Sequence, residues 1–459
     1  MLIRETKTEE QAVVQARPTT NGTNGNDAGS PLVPPKTPRV RAILIAILIV
    51  AGLAELAYSI VNMSAMPVYI KAIGLDTKWV GIVAAGYLVA EGLLKSPFGL
   101  LSDRIGRKPL MVAGPTVSIF TATMTAHTHN PYGLIALRVL DGMGLAALWP
   151  AAFSMIGDYV PAAKRASAMS MFNVSYLVGI ALGPAIGGKI NDIALYRLHF
   201  HLVRAKQASF YAAALFFAVT AIVALIALPE GRPVNRDAAG EAETPHGEGI
   251  TLRQFKQMLG RMPVLLTMTF ITFLGIGFVM AYAKLFIMEL LSINEGDFGK
   301  LLLGPALAIA LASIPLGTLG DKIGKPLAAK IGIGICAVSF WIMVLFVSKL
   351  TLIVFGSTIG IGFVIAFPAL MAQVSEVCEP SQRGAAVGAI GTSQGIGAIL
   401  GVVSSGFLYN LPARKFLGVS IPHHGVPFVC CAIMLAIAFT LALIGLKNNP
   451  VRPIPSKQF

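Results

Sequence analysis

Charge is what this chain has least of. Asp, Glu, Lys and Arg make up 13% of its 459 residues, about half the share usual in soluble domains. A soluble globule of this length needs more charge to cover its surface, so an ordinary soluble enzyme is excluded. With 55% hydrophobic residues, a disordered chain is excluded as well. Cysteine is scarce: Cys336, Cys378, Cys430 and Cys431 fit neither a metal-ligand pattern nor a disulfide scaffold. Three of them lie in apolar segments, where a small buried hydrophobe is their ordinary role. There is no Walker loop, no Gly-x-Ser-x-Gly and no His-Glu-x-x-His, so neither ATP hydrolysis nor enzyme chemistry is expected. No cofactor and no metal are expected.

What is present is apolar length. Mean hydropathy is +0.72. Twelve apolar segments fall at 42–66, 79–99, 109–127, 131–154, 167–190, 209–228, 263–288, 298–319, 327–347, 350–373, 385–408 and 427–446. Each is close to the roughly 20 residues that cross a bilayer as a helix. The runs are continuously apolar, without period-two alternation, which excludes a membrane β-barrel. The expected fold is therefore an all-α polytopic membrane protein with twelve transmembrane helices.

Residues 1–40 are polar, with Asn, Gly, Thr and Pro clustered at 18–37, and read as a disordered cytosolic tail. No cleavable signal peptide is expected, because the first apolar run begins only at Ala42. A polar stretch at 229–261 divides a six-helix bundle at 41–228 from another at 262–447, and residues 448–459 form a second cytosolic tail. The net charge of +14 follows topology, with no basic, aromatic-interleaved helix or zinc-finger spacing to suggest nucleic acid. With both termini cytoplasmic, 23 of the 36 Lys and Arg fall on the cytoplasmic side and 10 outside. The outer stretch 189–208 runs against that bias, carrying Lys189, Arg197, Arg204 and Lys206 without a reason visible in the sequence. A plasma membrane is the expected location, the inner membrane if the source is bacterial.

The two halves repeat at a constant offset of 218 residues. Pro97, Gly99, Leu101, Asp103 and Gly106 meet Pro315, Gly317, Leu319, Asp321 and Gly324. Gly142, Gly144 and Pro150 meet Gly360, Gly362 and Pro368, and Gly179 and Gly183 meet Gly397 and Gly401. Six spans per half is even, so both halves share one orientation. The pseudo-two-fold axis then runs along the membrane normal, and two such bundles can rock around a site at their interface.

Three motifs make the pattern specific. Gly99-Leu-Leu-Ser-Asp103-Arg104-Ile-Gly106-Arg107-Lys108 resembles the loop between spans two and three of the major facilitator superfamily, with a reduced copy at Gly317, Asp321 and Gly324. Arg138, Asp141, Gly142 and Gly144 resemble the family's span-four motif, although the family commonly has glutamine where Asp141 stands. Gly179, Gly183, Pro184, Gly187 and Gly188 in span five are similar to the motif of the family's twelve-span drug:proton antiporters. The resemblance implies a secondary active transporter that exports a small organic molecule against protons across the lipid bilayer; one chain contains both halves, so a monomer is expected to suffice. An importer, a uniporter or a lipid flippase on the same fold remains open, as does a non-transporting sensor. The resemblance further implies that Asp103, Arg104 and Arg107, completed by Asp158, form a gating latch. It also implies that the span-five face seals a leak path.

The residues themselves carry further expectations. Gly179, Gly183 and Gly187 recur every fourth position, lining one helix face that another helix can approach closely. Pro184 removes a backbone donor. Charges within spans are costly and usually functional. Glu55 and Arg138 fall at matching depths, and Asp141 shares the face of Arg138, so an Arg138–Asp141–Glu55 cluster is expected. Either one of its carboxylates titrates and couples protons, or the cluster is a permanent ion pair. Glu91 and Lys95 are spaced to pair on one helix, with Glu91 a substrate or gating candidate. Lys284 is expected to reach water near the outer end of span seven, and Glu289 to lie outside the core. Tyr58, close to Glu55, is expected to line the cavity.

Overall fold

The structure is a computed structural model and describes residues 37–230, 260, 262–317, 319–377, 383–412, 414–416 and 419–446. The expected N-terminal tail to residue 36, nearly all of the linker and the C-terminal tail lie outside these residues. Among the described residues, twelve helical spans follow one another. Span one runs Thr37–Ser59, widens into a π-helical turn at Ile60–Ala65, and continues through Met66–Ala72. Span two is Lys78–Ile105, span three Arg107–His127, span four Pro131–Tyr159. Span five is Ala162–Asp192 with a π-turn Ile193–Arg197, and span six is Leu202–Ala227. Span seven is broken into Pro263–Met280 and Ala283–Leu291. Span eight is Glu295–Gly317, extended by Leu319–Ile323. Spans nine to twelve are Lys325–Leu345, Lys349–Val377, Arg383–Tyr409 and Val426–Gly445.

The ends follow local chemistry. Pro131 opens span four, where a missing N–H is harmless, and Asn130 Oδ1 accepts the Tyr132 N–H at 3.0 Å as its cap. Among the described residues, eleven helices are long and apolar enough to cross a membrane; of the twelve spans, Arg107–His127, rich in Ser and Thr, is the exception. Those hydroxyls are turned inward on the helix. Thr116, Thr123 and Thr125 each donate to the carbonyl four residues back, at 2.8, 2.8 and 2.6 Å, so the helix presents less polarity than its composition suggests. Between spans eleven and twelve lies a small antiparallel hairpin, β1 Arg414–Phe416 and β2 Val419–Ile421, with Lys415 opposite Ser420. Apolar run length carries no signal for such a hairpin.

The helix directions define two ends. Thr37 and Gly445 lie at the terminal end; the turns at 73–77, 128–130 and 292–294 lie at the far end. Within the first half, span five packs along span one; within the second, span eleven packs along span seven. The halves meet along two seams, span five against span eight and span two against span eleven.

Candidate functional site

The glycine face of span five is a contact surface, and glycine is needed there. A Cβ on Gly179 would stand 2.8 Å from Gly52 O, one on Gly183 2.5 Å from Ser59 Cβ, and one on Gly187 2.8 Å from Ser64 Oγ. Pro184 cannot donate to Ile180 O, its helical partner, and Ser59 Oγ of span one donates to that carbonyl instead at 2.9 Å. The proline's missing bond thus becomes a link between helices. Gly188 turns the other way: its Cβ would meet Glu295 O of span eight at 2.4 Å. The motif therefore serves both a seam within its half and a seam between halves.

At the terminal end, span two stays helical to Ile105 and only Gly106 breaks it from span three, so the expected loop of 99–108 is nearly all helix. Gly106 takes φ +98° and ψ 162°, and Gly324 in the repeat takes φ +92° and ψ 135°. Side chains disfavour that region, which explains glycine at both places. Arg107 is buried. It donates from Nη1 to Asp103 Oδ1 and to Ser102 Oγ at 2.7 Å, and from Nε to Asp158 Oδ2 at 3.2 Å. The residues expected to form the latch thus assemble inside the first half, with Arg104 exposed beside them. Gly99 stands in looser surroundings; its Cβ would meet Pro150 at 3.6 Å. In the second copy, Gly317 ends the long helix of span eight and Asp321 lies in the short helix that follows, its side chain outside the described residues.

In the middle of the first half, Arg138 and Asp141 pair at 2.8 Å, both 2% exposed in their side chains. Thr121 Oγ1 donates to Asp141 Oδ1 at 3.0 Å, and the Arg138 guanidinium lies 4.8 Å from the centre of the Tyr87 ring. The partner of Arg138 on span one is Asn62, whose Oδ1 accepts from Nη2 at 2.6 Å. Asn62 sits in the π-turn, where one extra residue re-aims side chains. Glu55 is not part of this cluster. Span one runs on to Ala72, so depth counted from residue 42 set Glu55 about two turns out of line with Arg138. Glu55 is buried near Glu91 and Lys95 of span two, and among the described residues it has no hydrogen bond or ion pair. Glu91 and Lys95 pair at 2.6 Å as their spacing predicts, Glu91 half-sheltered and Lys95 exposed.

Tyr58 does not line an opening. It is 1% exposed, its hydroxyl 2.8 Å from Ser118 Oγ of span three and its ring edge-on to Phe217 of span six. The side chain points into the bundle because Gly144 leaves room for its hydroxyl.

The far end holds what sequence reasoning missed. Lys284 does not reach water: it is buried and donates to Glu295, to Ser64 O at 2.6 Å and to Ser64 Oγ at 3.1 Å. Glu295 also accepts from Lys206 and from Asn191 Nδ2, the latter at 3.1 Å, and Asp192 accepts the Gly296 N–H at 2.8 Å. Lys206 belongs to span six, which starts at Leu202 rather than 209, so this basic residue of the stretch 189–208 is an internal ion-pair partner. On the pseudo-axis, Lys71 pairs with Glu289, its own equivalent at offset 218, and Tyr409 Oη donates to Glu289 at 3.3 Å. Along the other seam, Tyr282 Oη donates to Thr77 O at 2.7 Å and accepts the Gly81 N–H at 3.0 Å, and Thr77 Oγ1 donates to Asn410 at 2.7 Å.

The seams close at one end only. At the far end a Cβ on Gly81 would stand 2.2 Å from Val402 O, and one on Gly406 would stand 2.9 Å from Lys78 O. On the same two helices towards the terminal end, a Cβ on Gly92, Gly388, Gly391 or Gly395 would meet nothing within 4 Å. Leu93 and Leu311, repeat equivalents on spans two and eight, are 71% and 69% exposed. Helices in backbone contact at the far end thus separate towards the terminal end.

Two six-helix halves, repeated in sequence and joined at one end, define a multi-pass membrane protein of the twelve-helix transporter architecture. The sequence pattern of the Major Facilitator Superfamily matches residues 47–282 and 265–459, and the chain belongs to that family. It is 27% identical over 275 residues to the multi-drug resistance efflux pump PmrA of Streptococcus pneumoniae, an alignment covering 57% of this chain and 62% of that protein. It is 23% identical to the multidrug transporter protein MdtP of Bacillus subtilis, covering 89% of this chain and 82% of that one. The crystal structure of nucleoside transporter NupG has the same fold, with a TM-score of 0.71 at 14% identity over 88% of this chain and 99% of that chain.

Proposed function

We propose that this protein is a secondary active transporter that exports a small organic molecule by alternating access, driven by protons entering. The observation that carries the reading is the one-ended closure: spans two and eleven touch at Gly81 and Gly406 and stand apart at Gly92 and Gly388. Two repeated bundles held in that way present a central space to one side of the membrane at a time. Positive-inside bias supports a cytoplasmic side for the termini, and so for the open end, where an exporter collects its substrate. The efflux pumps among its relatives support the direction.

Glu55 is the carboxyl that best fits proton exchange. Asp141 is already engaged by Arg138 and Thr121, whereas among the described residues buried Glu55 has no hydrogen-bond or ion-pair partner. We assign Arg138, Asp141 and Asn62 to holding spans one and four in register, and Glu91 with Lys95 to the mouth of the space. One chain carries both halves, so a monomer suffices.

The test is transport by purified protein in liposomes under an imposed pH gradient, with lipophilic cations and anions as probes. Wild type is expected to move at least one class against its gradient, and Glu55→Gln to lose the pH dependence while still binding the probe. Equal gradient-driven transport by both proteins removes Glu55 from coupling. Transport down the probe's own gradient alone, indifferent to pH, overturns the proton-driven export reading.

A further inference from the structure

The repeat supplies an internal comparison for the charged cluster at the far end. Offset by 218 residues, Glu295 corresponds to Thr77, Gly296 to Lys78, Asp192 to Asn410, Gly299 to Gly81 and Gly188 to Gly406. The backbones approach equally closely on both seams: a Cβ on Gly299 would stand 2.3 Å from Ala185 Cα, one on Gly81 2.2 Å from Val402 O. Yet the seam of spans two and eleven closes on Thr77, Asn410, Tyr282 and the exposed Asp76, while that of spans five and eight carries the buried Glu295, Lys284 and Lys206 together with Asp192. Close packing of the seam therefore does not by itself require buried ions. Burying them is costly unless each is paired.

We propose that Glu295, with Lys284, Lys206 and Asp192, is a charge-balanced seal that positions the halves for the change of access. Each half brings one acid and one base. The second half carries Lys284 and Glu295 as a pair already made. The first half carries Lys206 and Asp192, which lie near enough to act on one another electrostatically. On closing, Glu295 gains Lys206 and Asn191, Asp192 gains the Gly296 N–H, and Lys284 gains Ser64. On opening, those crossing bonds part and each half keeps a neutral couple, so no ion is left alone. The seal is tight when the four charges sum to zero and weak when one is missing.

This inference rests on the alternating-access reading, and its test is independent of substrate. Spin labels on cysteines replacing Tyr196 and Phe346, both exposed near the far end on opposite halves, report the separation of that end in nanodiscs. The background has its native cysteines replaced. Glu295→Gln keeps the acceptor oxygen and removes the charge, leaving two lysines against Asp192. Its ratio of closed to open far end is expected to fall by about tenfold or more. Glu295→Gln with Lys206→Met restores neutrality, and the ratio is expected to return to within about threefold of wild type. A second pair guards against misfolding of the first: Lys206→Met alone opens the end, and Lys206→Met with Asp192→Asn closes it again. If the double variants are as open as the singles, or the singles stay closed, the charge-balance seal is wrong. Failure of the transport reading would look different: no probe moved by wild type, with the pattern of separations unchanged.

Discussion

The link that Ser59 makes to span five can be tested to the level of one carbonyl. Ile180 O would normally accept from the N–H four residues on, but that residue is Pro184. Ser59 Oγ donates to it at 2.9 Å and is itself buried. Ser59→Ala leaves the carbonyl with neither donor. Hydrogen bonds between membrane helices are worth about 0.6 kcal/mol on average, but an acceptor left unsatisfied costs about 1–3 kcal/mol. Ser59→Ala should therefore destabilise by about 1–2 kcal/mol. Pro184→Ala supplies the missing N–H and should by itself change stability by under about 1 kcal/mol, because Ser59 keeps its bond. The informative protein is the double variant. With alanine at 184, Ile180 O has its helical donor and Ser59 becomes dispensable, so the double should be more stable than Ser59→Ala alone by about 1 kcal/mol. Reversible unfolding in mixed micelles, with the four proteins run together, gives the coupling. If the two substitutions add, or the double is the weakest of the set, Ser59 does not substitute for the proline's donor.

Three further outcomes follow from the same geometry. Gly106→Ala and Gly324→Ala each force a side chain into positive φ and should cost about 1–3 kcal/mol in thermal unfolding, whereas Gly157→Ala, with nothing within 4 Å of its Cβ, should not destabilise. Arg107→Ala leaves Asp103 and Asp158 without their shared cation and should cost about 1–3 kcal/mol; Arg107→Lys recovers only part of this, since an ammonium lacks the guanidinium fork. Asp76, in the turn before span two, has its carboxyl held below the usual aspartate range, first by the Lys78 N–H and also by Asn410 of the other half. Its contribution is present above the usual value of about 3.9 and is lost as pH falls through its lowered one. Far-end separation should thus increase slightly below about pH 4 in wild type and be indifferent to that step in Asp76→Ala.

Much of this architecture is legible as length and spacing. Twelve apolar runs are found where helices lie, and the fourth-residue glycines of span five face span one, because both signals are local to one helix. The span ends are less legible. Span one continues six residues past Met66 because Tyr69 has carbonyl acceptors at Ala126 and Thr128, which are remote in sequence. The charged groups are least legible of all. Lys284 looks like a side chain near a helix end, Lys206 like part of a basic loop and Glu295 like a loop acid. Each is reasonable against its own helix, and all three change meaning once spans six, seven and eight converge. Counted depth pairs Glu55 with Arg138, a match that a π-turn and a long first span displace, while Asn62 carries no signal at all as an uncharged residue.

The glycines at the seams convert the one-ended closure into a prediction about equilibrium rather than folding. Gly81 and Gly299 are the same position in the two repeats, and at each an added methyl would overlap backbone of the opposite half, Val402 O in one case and Ala185 Cα in the other. Backbone cannot rotate aside as a side chain does, so the overlap is relieved by moving the halves apart at the far end. Overpacking of this kind costs about 1–3 kcal/mol, enough to shift a two-state balance by about fivefold to more than a hundredfold. The same change of glycine to alanine favours the helix by about 1 kcal/mol, so unfolding and opening should respond with opposite signs. Gly81→Ala and Gly299→Ala are expected to widen the far-end separation in spin-label measurements while leaving the melting temperature equal or higher. Gly92→Ala, on the same helix as Gly81 but with open space around it, should raise the melting temperature without moving the labels. A seam variant that melts earlier with its labels unmoved would mean the methyl is absorbed within one half, and the two seams would then not be the surfaces along which access changes.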